Sequence, residues 1–291
     1  MPNAEEIIMG LTIHFTLGLP AKTTVPEVKQ RLGALRQHCL DLPFQEVGEM
    51  LEFKGEDCNF QKRDREDPLR WFLCQADTMV HYKFQRTGKP VAVRAGEDGS
   101  YCHDVLPTHV IGFSTYPGNG CEEANCGLSR FPKTVMVENR TNGKRYRLPV
   151  ADGGGWQWSA FCKTQYANET GLEHFIKCHL SVVAMLDNAK RLGFAVTVND
   201  ESDYFEKRDV HGLVKAIGSW DQMIAAFGGS LKDAAGDVGM TIESPIFERK
   251  DFETLEMQGQ SQLPPGFGEV VRGLVKETAA VKAGKTGEKT P

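Results

Sequence analysis

The sequence predicts an α+β protein in which antiparallel or mixed sheets have helices packed on one side. Three observations support this class. A strand, an amphipathic helix and a second strand follow one another between residues 153 and 199, and the same order of elements occurs between residues 11 and 53. Between residues 78 and 148 the candidate strands occur in hairpins, which favours antiparallel pairing over a doubly wound parallel sheet. Two ferredoxin-like halves sharing a core are the specific arrangement expected.

The later of these strand, helix and strand units has the clearest pattern. Alternation along its first strand places Trp156 and Trp158 on a buried face and polar residues on the other. Thr170 and Glu173 match a T-x-x-E capping box, and apolar residues then recur at helical spacing. We therefore expect a continuous helix over residues 171–192 whose apolar face packs on a sheet bearing both tryptophans.

The earlier unit begins with alternating apolar and polar residues from Leu11 to Leu19, which predicts a strand. A second capping box, formed by Thr24 and Glu27, precedes a helical stripe of apolar residues. Further along the chain, Asn142-Gly143 lies between two extended runs, and this dipeptide is a strong signal for a hairpin turn.

We expect the chain to divide into an N-terminal α+β half over residues 1–130 and a C-terminal α+β half over residues 131–262. Residues 263–291 are expected to form a terminal helix and a disordered tail, because the last residues offer too little apolar surface to order themselves. Within the second half, Asp209 and Ser219 each match a helix N-cap, which predicts two successive helices.

Composition bounds the classes of function. The chain has 291 residues, 40% of them hydrophobic and 25% charged, as expected for a soluble globular protein. Its formal charge of -5 gives no electrostatic reason to expect nucleic acid as a partner. No apolar run approaches the roughly 18 residues of a membrane helix, so no membrane partner and a cytoplasmic location are expected. The eight cysteines are then expected to be reduced thiols.

A glycine-rich stretch between residues 112 and 127 is the leading candidate for a binding site. It follows a predicted strand, and its backbone can approach a ligand closely because several of its residues lack a side chain. Ser114, Tyr116, Asn119 and Asn125 supply donors and acceptors for a ligand. The spacing matches neither a phosphate-binding loop nor a dinucleotide fingerprint, so no cofactor is predicted. The structural alternative is a long turn.

The polar face of the strand at residue 156 is a second candidate. Lys163 and Gln165 lie on this face with Gln157 and Ser159, and could form a recognition surface if the sheet is open on that side. Arg208 is added as an anion-binding residue because it lies in a mixed-charge cluster, although such clusters are more often a solvated surface or a helix cap.

His174, Cys178 and His179 are the candidate catalytic residues. His174 and Cys178 are four residues apart on the long predicted helix and therefore share a face, where an imidazole can lower the pKa of a thiol. Cys121-x4-Cys126 could supply thiolate ligands, but its spacing is not that of a zinc knuckle, and no metal is predicted. Packing of these residues is the structural alternative.

Two functions follow from these observations. The first is a soluble binding or interaction module that recognises a small molecule or a protein partner through the glycine-rich loop and the polar strand face, with homo-oligomerisation left open. The second is a hydrolase or transferase with a Cys/His site. No motif names a family, and we favour the binding module because no catalytic signature has its usual spacing.

Overall fold

The computed structural model of the protein describes residues 11–151, 153–263, 265–273 and 275–276. The tail predicted at the carboxyl end lies outside the described residues from residue 277 onward. The chain forms two compact units, one ending at Arg208 and the other beginning at Asp209.

The described residues of the first unit form thirteen strands and four α-helices. Its strands are β1 (Thr12–Leu19), β2 (Glu46–Val47), β3 (Leu51–Lys54), β4 (Thr78–Phe84), β5 (Pro90–Ala92), β6 (Tyr101–Val105), β7 (His109–Phe113), β8 (Thr115–Tyr116), β9 (Cys126–Arg130), β10 (Thr134–Asn139), β11 (Lys144–Pro149), β12 (Trp156–Lys163) and β13 (Ala195–Asp200). Its helices are α1 (Val25–Leu40), α2 (Pro68–Gln75), α3 (Leu172–Arg191) and α4 (Tyr204–Lys207).

Six of these strands form the main sheet, in the order β13-β1-β12-β9-β7-β3, and every neighbouring pair is antiparallel. The unit β12-α3-β13 is split, because β1 lies between its two strands and pairs with both. The predicted α+β class is therefore confirmed. Two ferredoxin-like halves are not confirmed: β9 and β12 lie on opposite sides of the boundary expected at residue 130, yet they pair within one sheet.

The core lies between this sheet and the helices α1 and α3. Both predicted tryptophans are buried, with 1% of Trp156 and 2% of Trp158 exposed. Their indole N–H groups donate to the carbonyl oxygens of Thr23 at 3.0 Å and Asn125 at 2.9 Å, so burial leaves neither donor unpaired. The long helix is continuous from Leu172 to Arg191, which confirms the unbroken helix predicted over residues 171–192.

The two capping boxes have different outcomes. At the start of α1 the Thr24 N–H and hydroxyl both donate to the Glu27 carboxylate, at 2.7 and 2.8 Å. The box predicted at Thr170 and Glu173 is wrong, since α3 has Gly171 at its N-cap and no side-chain cap. A 3-10 turn over residues 165–170 occupies the place of the predicted cap, and the chain leaves it through Gly171 at a φ of 123°.

The predicted hairpins form two smaller sheets, one of β5, β4 and β6 and the other of β10 and β11. Gly143 takes a φ of 65° in the turn between β10 and β11, the left-handed conformation that the Asn-Gly signal anticipates. Buried residues of these two sheets and of the segments next to β10 and β11 share a second core: Val80, Tyr82, Val105, Phe131, Val137, Leu148 and Val150.

The second unit contains the helices α5 (Val210–Gly236) and α6 (Phe252–Gln260). The predicted cap at Asp209 is confirmed, because its Oδ1 accepts the His211 N–H at 3.0 Å. The second helix start predicted at Ser219 is wrong, since α5 runs through it without a break. Packing of α5 on α6 outweighs the local capping signal. No helix in the described part of the chain is long and apolar enough to cross a membrane.

Candidate functional site

The glycine-rich stretch lies across the first half of α3. A Cβ added at Gly118 would lie 2.8 Å from Cε1 of His174 and 2.9 Å from Sγ of Cys178. A Cβ at Gly120, whose φ is 80°, would lie 2.4 Å from the carbonyl oxygen of Tyr166. Real Cβ atoms do not approach other atoms this closely, so these two glycines allow the loop to lie directly on the elements beneath it.

An open cleft of about 470 Å³ lies beside this loop. It brings together residues from β2, α2, β8 and the loop, and these segments are far apart in the sequence. The residues that line it are Glu46, Trp71, Ser114, Thr115, Tyr116, Cys121, Glu122 and Glu123. Two of the predicted ligand-binding residues, Ser114 and Tyr116, therefore lie in one cleft.

The cleft is acidic and has two aromatic walls. Among the described residues, its lining includes three carboxylates and no basic side chain. Beside the lining, Nζ of Lys163 lies 4.0 Å from Oε1 of Glu122. Trp71 is 50% exposed although it is a large aromatic residue. Burial and the nearby thiols raise the pKa of Tyr116, so its phenol stays neutral at physiological pH.

The other predicted ligand-binding residues are bonded within the protein. The carbonyl oxygen of Asn119 lies 3.0 Å from Nε2 of His174. Nδ2 of Asn125 donates to Glu123 and to Gln75 at 3.0 Å each, and its buried Oδ1 has no hydrogen-bond partner among the described residues. Gln165 accepts the Leu11 N–H at 2.7 Å.

Arg208 lies away from the loop. It donates to Asp187 at 2.8 Å, and its guanidinium lies 4.8 Å from the centre of the Phe205 ring. The polar side of β12 borders a separate hollow of about 290 Å³, which Gln157 and Ser159 line together with Thr16 of β1 and Thr197 of β13. The structure thus does not gather all the predicted ligand-binding residues in one place.

His174 and Cys178 do meet, and Cys121 joins them. Sγ of Cys178 lies 3.5 Å from Nε2 of His174 and 3.4 Å from the carbonyl oxygen of Pro117. The neighbouring Cys121 thiol, together with the charges of His174 and Lys177, lowers the pKa of Cys178 to about 7 despite burial. The neighbouring Cys178 thiol and burial raise the pKa of Cys121.

His179 belongs to a different, fully buried cluster. Its Nδ1 lies 2.9 Å from the Thr164 hydroxyl, and its Nε2 lies 3.2 Å from Oδ2 of Asp200. Asp200 also accepts the backbone N–H groups of Ser202 and Phe205 at 2.9 and 2.8 Å. Since Thr164 and His179 are both 0% exposed, this cluster joins β12, α3 and β13 without offering a surface to a substrate.

Because of this cluster, we expect the free energy of unfolding to depend on pH in the acidic range. Burial raises the pKa of Asp200. The hydrogen bond and charge of His179 and the hydrogen bonds from Ser202 lower it by a larger amount, so the pKa lies below its ordinary value. The Asp200 charge therefore favours folding above the unfolded pKa of about 3.9, and this contribution is lost as the pH falls from there through the folded pKa. Urea unfolding at pH values from neutral to acidic should show a steeper loss of stability for the wild type than for Asp200→Asn. Equal slopes would contradict this assignment.

No group of three or more His, Cys, Asp or Glu side chains within the described ranges is placed to hold a metal ion. Cys126 is buried, and its thiol lies 3.3 Å from Sδ of Met185, so it packs as part of the core and away from Cys121. Comparison with known proteins gave no matching family model, no matching curated protein and no matching solved structure.

Proposed function

We propose that the protein is a binding module whose acidic cleft takes a small organic cation. The observation that supports this proposal is that Trp71 and Tyr116 line the same open cleft as three glutamates. The negative face of an aromatic ring attracts an ammonium or guanidinium group, and nearby carboxylates add to the attraction. An anionic ligand would meet repulsion from the same carboxylates.

Choline is a suitable probe because its quaternary ammonium has no N–H group to donate. Its affinity therefore reports the contact of the cation with the aromatic rings and its attraction to the carboxylates. Calorimetric titration should detect binding to the wild type. Trp71→Ala should weaken binding by about 2- to 30-fold, the range expected for a cation–π contact of about 0.5–2 kcal/mol. Glu46→Gln and Glu123→Gln should each weaken it by about two- to fivefold, as for exposed charge pairs.

Glu138→Gln is the matched control, because it removes the same charge from the exposed strand β10 and should leave choline affinity unchanged. Equal affinity in all variants would contradict the proposal.

Substitution of Lys163 provides a second test, because a cation-binding cleft and an anion-binding lysine predict opposite effects on ligand affinity. Its ammonium lies beside Glu122 and partly neutralises that carboxylate. Lys163→Gln should therefore tighten choline binding by about two- to fivefold at low salt and less at high salt. If Lys163 instead contacts the ligand as an anion-binding residue, the same substitution should weaken binding of an anionic probe. A weaker choline affinity would count against an acidic recognition site.

The alternative, a hydrolase or transferase with a Cys/His site, has one observation in its favour, the contact between His174 and the thiol of Cys178. Against it, Cys178 is 0% exposed and lies beneath Pro117 and Gly118. A nucleophile must reach the carbonyl carbon of its substrate, and this sulfur is covered. Turnover of an activated thioester or ester that is lost in Cys178→Ser and kept in Cys102→Ser would support the alternative.

A further inference from the structure

We propose that the open face of the main sheet binds a neutral oligosaccharide. The helices α1 and α3 cover one face of this sheet, and the opposite face carries two adjoining hollows of about 290 and 510 Å³. We call their combined space the polar trough. Six residues line both hollows, and every one of them has a hydrogen-bonding side chain: Thr16, Gln75, Asp77, Thr78, Ser159 and Thr197.

Three hydroxyl groups form a row across the floor of the polar trough. Thr16 in β1 lies directly opposite Ser159 of β12 on one side and Thr197 of β13 on the other. All three residues are exposed, and none of their hydroxyls is hydrogen-bonded to another residue in the described ranges. Opposite residues of an antiparallel pair lie about 5 Å apart, and each hydroxyl can both donate and accept. A ligand with closely spaced hydroxyls of its own can pair with the whole row.

The opposite wall of the polar trough adds an amide and a carboxylate. Gln75 is the last residue of α2, and its Oε1 accepts from Asn125 at 3.0 Å, which leaves its amide N–H groups available to a ligand. Asp77 follows the helix, and its carboxylate has no hydrogen bond or ion pair with another described residue. Burial and the charge of Asp104 raise the pKa of Asp77 to about 6. Above neutral pH this carboxylate is therefore charged and can accept from ligand hydroxyls.

Aromatic side chains lie at one end of the polar trough. Phe161 lies opposite His14 in the sheet, with ring centres 5.8 Å apart. Trp71 of α2, which also borders the acidic cleft, is 50% exposed. The apolar C–H face of a sugar ring can pack on such rings while the hydroxyls at its rim reach polar groups. From Phe161 to Gln157 the trough follows four residues of β12, or about 13 Å, a length that suits two or three linked sugar rings.

The charges of the polar trough favour a neutral ligand. Its described lining contains no lysine or arginine, and Asp77 would repel a phosphate or carboxylate group. A nucleic acid would therefore find neither cation to pair with its phosphates. A peptide strand would pair through its backbone at a sheet edge, but β1 is already paired on both sides, so this face offers side chains alone.

The experiment measures sugar binding to the full-length protein by saturation-transfer difference NMR at slightly alkaline pH. The probes are four neutral trisaccharides, namely maltotriose, cellotriose, mannotriose and galactotriose, and the acidic trigalacturonate. We expect at least one neutral probe to bind and trigalacturonate to bind more weakly than that probe. Thr16→Val and Ser159→Ala should each weaken binding of that probe by about 2- to 10-fold, as expected for the loss of one neutral hydrogen bond. Thr16→Ser keeps the hydroxyl and should largely preserve affinity.

The matched control is Thr134→Val, which makes the same change on the exposed end of β10 and should leave sugar affinity unchanged. Two further measurements separate this site from the acidic cleft. Glu46→Gln should leave sugar affinity unchanged, and Thr16→Val should leave choline affinity unchanged. The wild-type titration needs no variant, so it decides the question even if a substitution prevents folding. Binding of none of the neutral sugars, tighter binding of trigalacturonate, or equal sugar affinity in Thr16→Val and Thr134→Val would overturn the proposal.

Discussion

Asp200→Ala is expected to lower the free energy of unfolding of the first unit by about 3–5 kcal/mol. The substitution removes the partner of His179 in a pair whose side chains are 0% and 2% exposed. It also leaves the N–H groups of Ser202 and Phe205 without their acceptor. A buried polar group that loses its partner costs free energy because water cannot replace that partner. Urea unfolding followed by circular dichroism measures the change.

Asp187→Ala is the matched control for this prediction. Asp187 pairs with Arg208 at 2.8 Å, but the two side chains are 29% and 43% exposed. Water can solvate both charges once the pair is broken, so the expected loss is about 0–1 kcal/mol. Similar losses in the two variants would contradict the view that the His179 and Asp200 pair stabilises the junction of α3 and β13.

Gly112→Ala is expected to destabilise the main sheet by about 1–3 kcal/mol or more. A Cβ at Gly112 would lie 2.4 Å from the carbonyl oxygen of Cys126 and 2.7 Å from the Cα of Gly127. Both atoms belong to the backbone of β9, which cannot move aside without disturbing its pairing with β7. Chemical denaturation of the variant measures the loss, and a fall in cation affinity should accompany it because β7 leads into the loop beside the cleft.

Gly18→Ala provides the comparison, since Gly18 also lies in an interior strand of this sheet. A Cβ added at Gly18 would have the Trp156 carbonyl oxygen as its nearest atom, at 3.7 Å, which is an ordinary contact distance. Alanine fits there and reduces the freedom of the unfolded chain, so stability should be unchanged or rise by about 0.4–1 kcal/mol. A large loss in this variant would show that the sheet does not tolerate any added methyl group, and would remove the steric explanation for Gly112.

The regular elements could be predicted because their signals are local. Alternation placed Trp156 and Trp158 in the core, and helical spacing gave α3 nearly to its final residue. The failures occurred where tertiary packing competes with a local signal. Ser219 matches a cap but lies inside α5, and Thr170 lies in the 3-10 turn before Gly171.

The cleft could be predicted only in part. Ser114 and Tyr116 were found because a polar, glycine-rich run after a strand is a local feature. Glu46 and Trp71 were missed, since nothing near them in the sequence indicates which loop they will face. His174 and Cys178 were paired correctly from their spacing, whereas the approach of Cys121 depends on how the loop crosses α3. The roles in binding of all the predicted residues stay predictions: Ser114, Tyr116, Asn119, Asn125, Lys163, Gln165 and Arg208.

The most direct test of the acidic cleft compares choline with its neutral isostere, in which a carbon atom replaces the charged nitrogen. The two molecules have nearly the same shape, so their difference in affinity isolates the charge. If Trp71, Tyr116 and the glutamates form a cation site, calorimetry should show that the wild type binds choline measurably more tightly than the isostere, with the difference reduced in Trp71→Ala. Equal affinity for both molecules, or binding of neither, would contradict the proposed cation site.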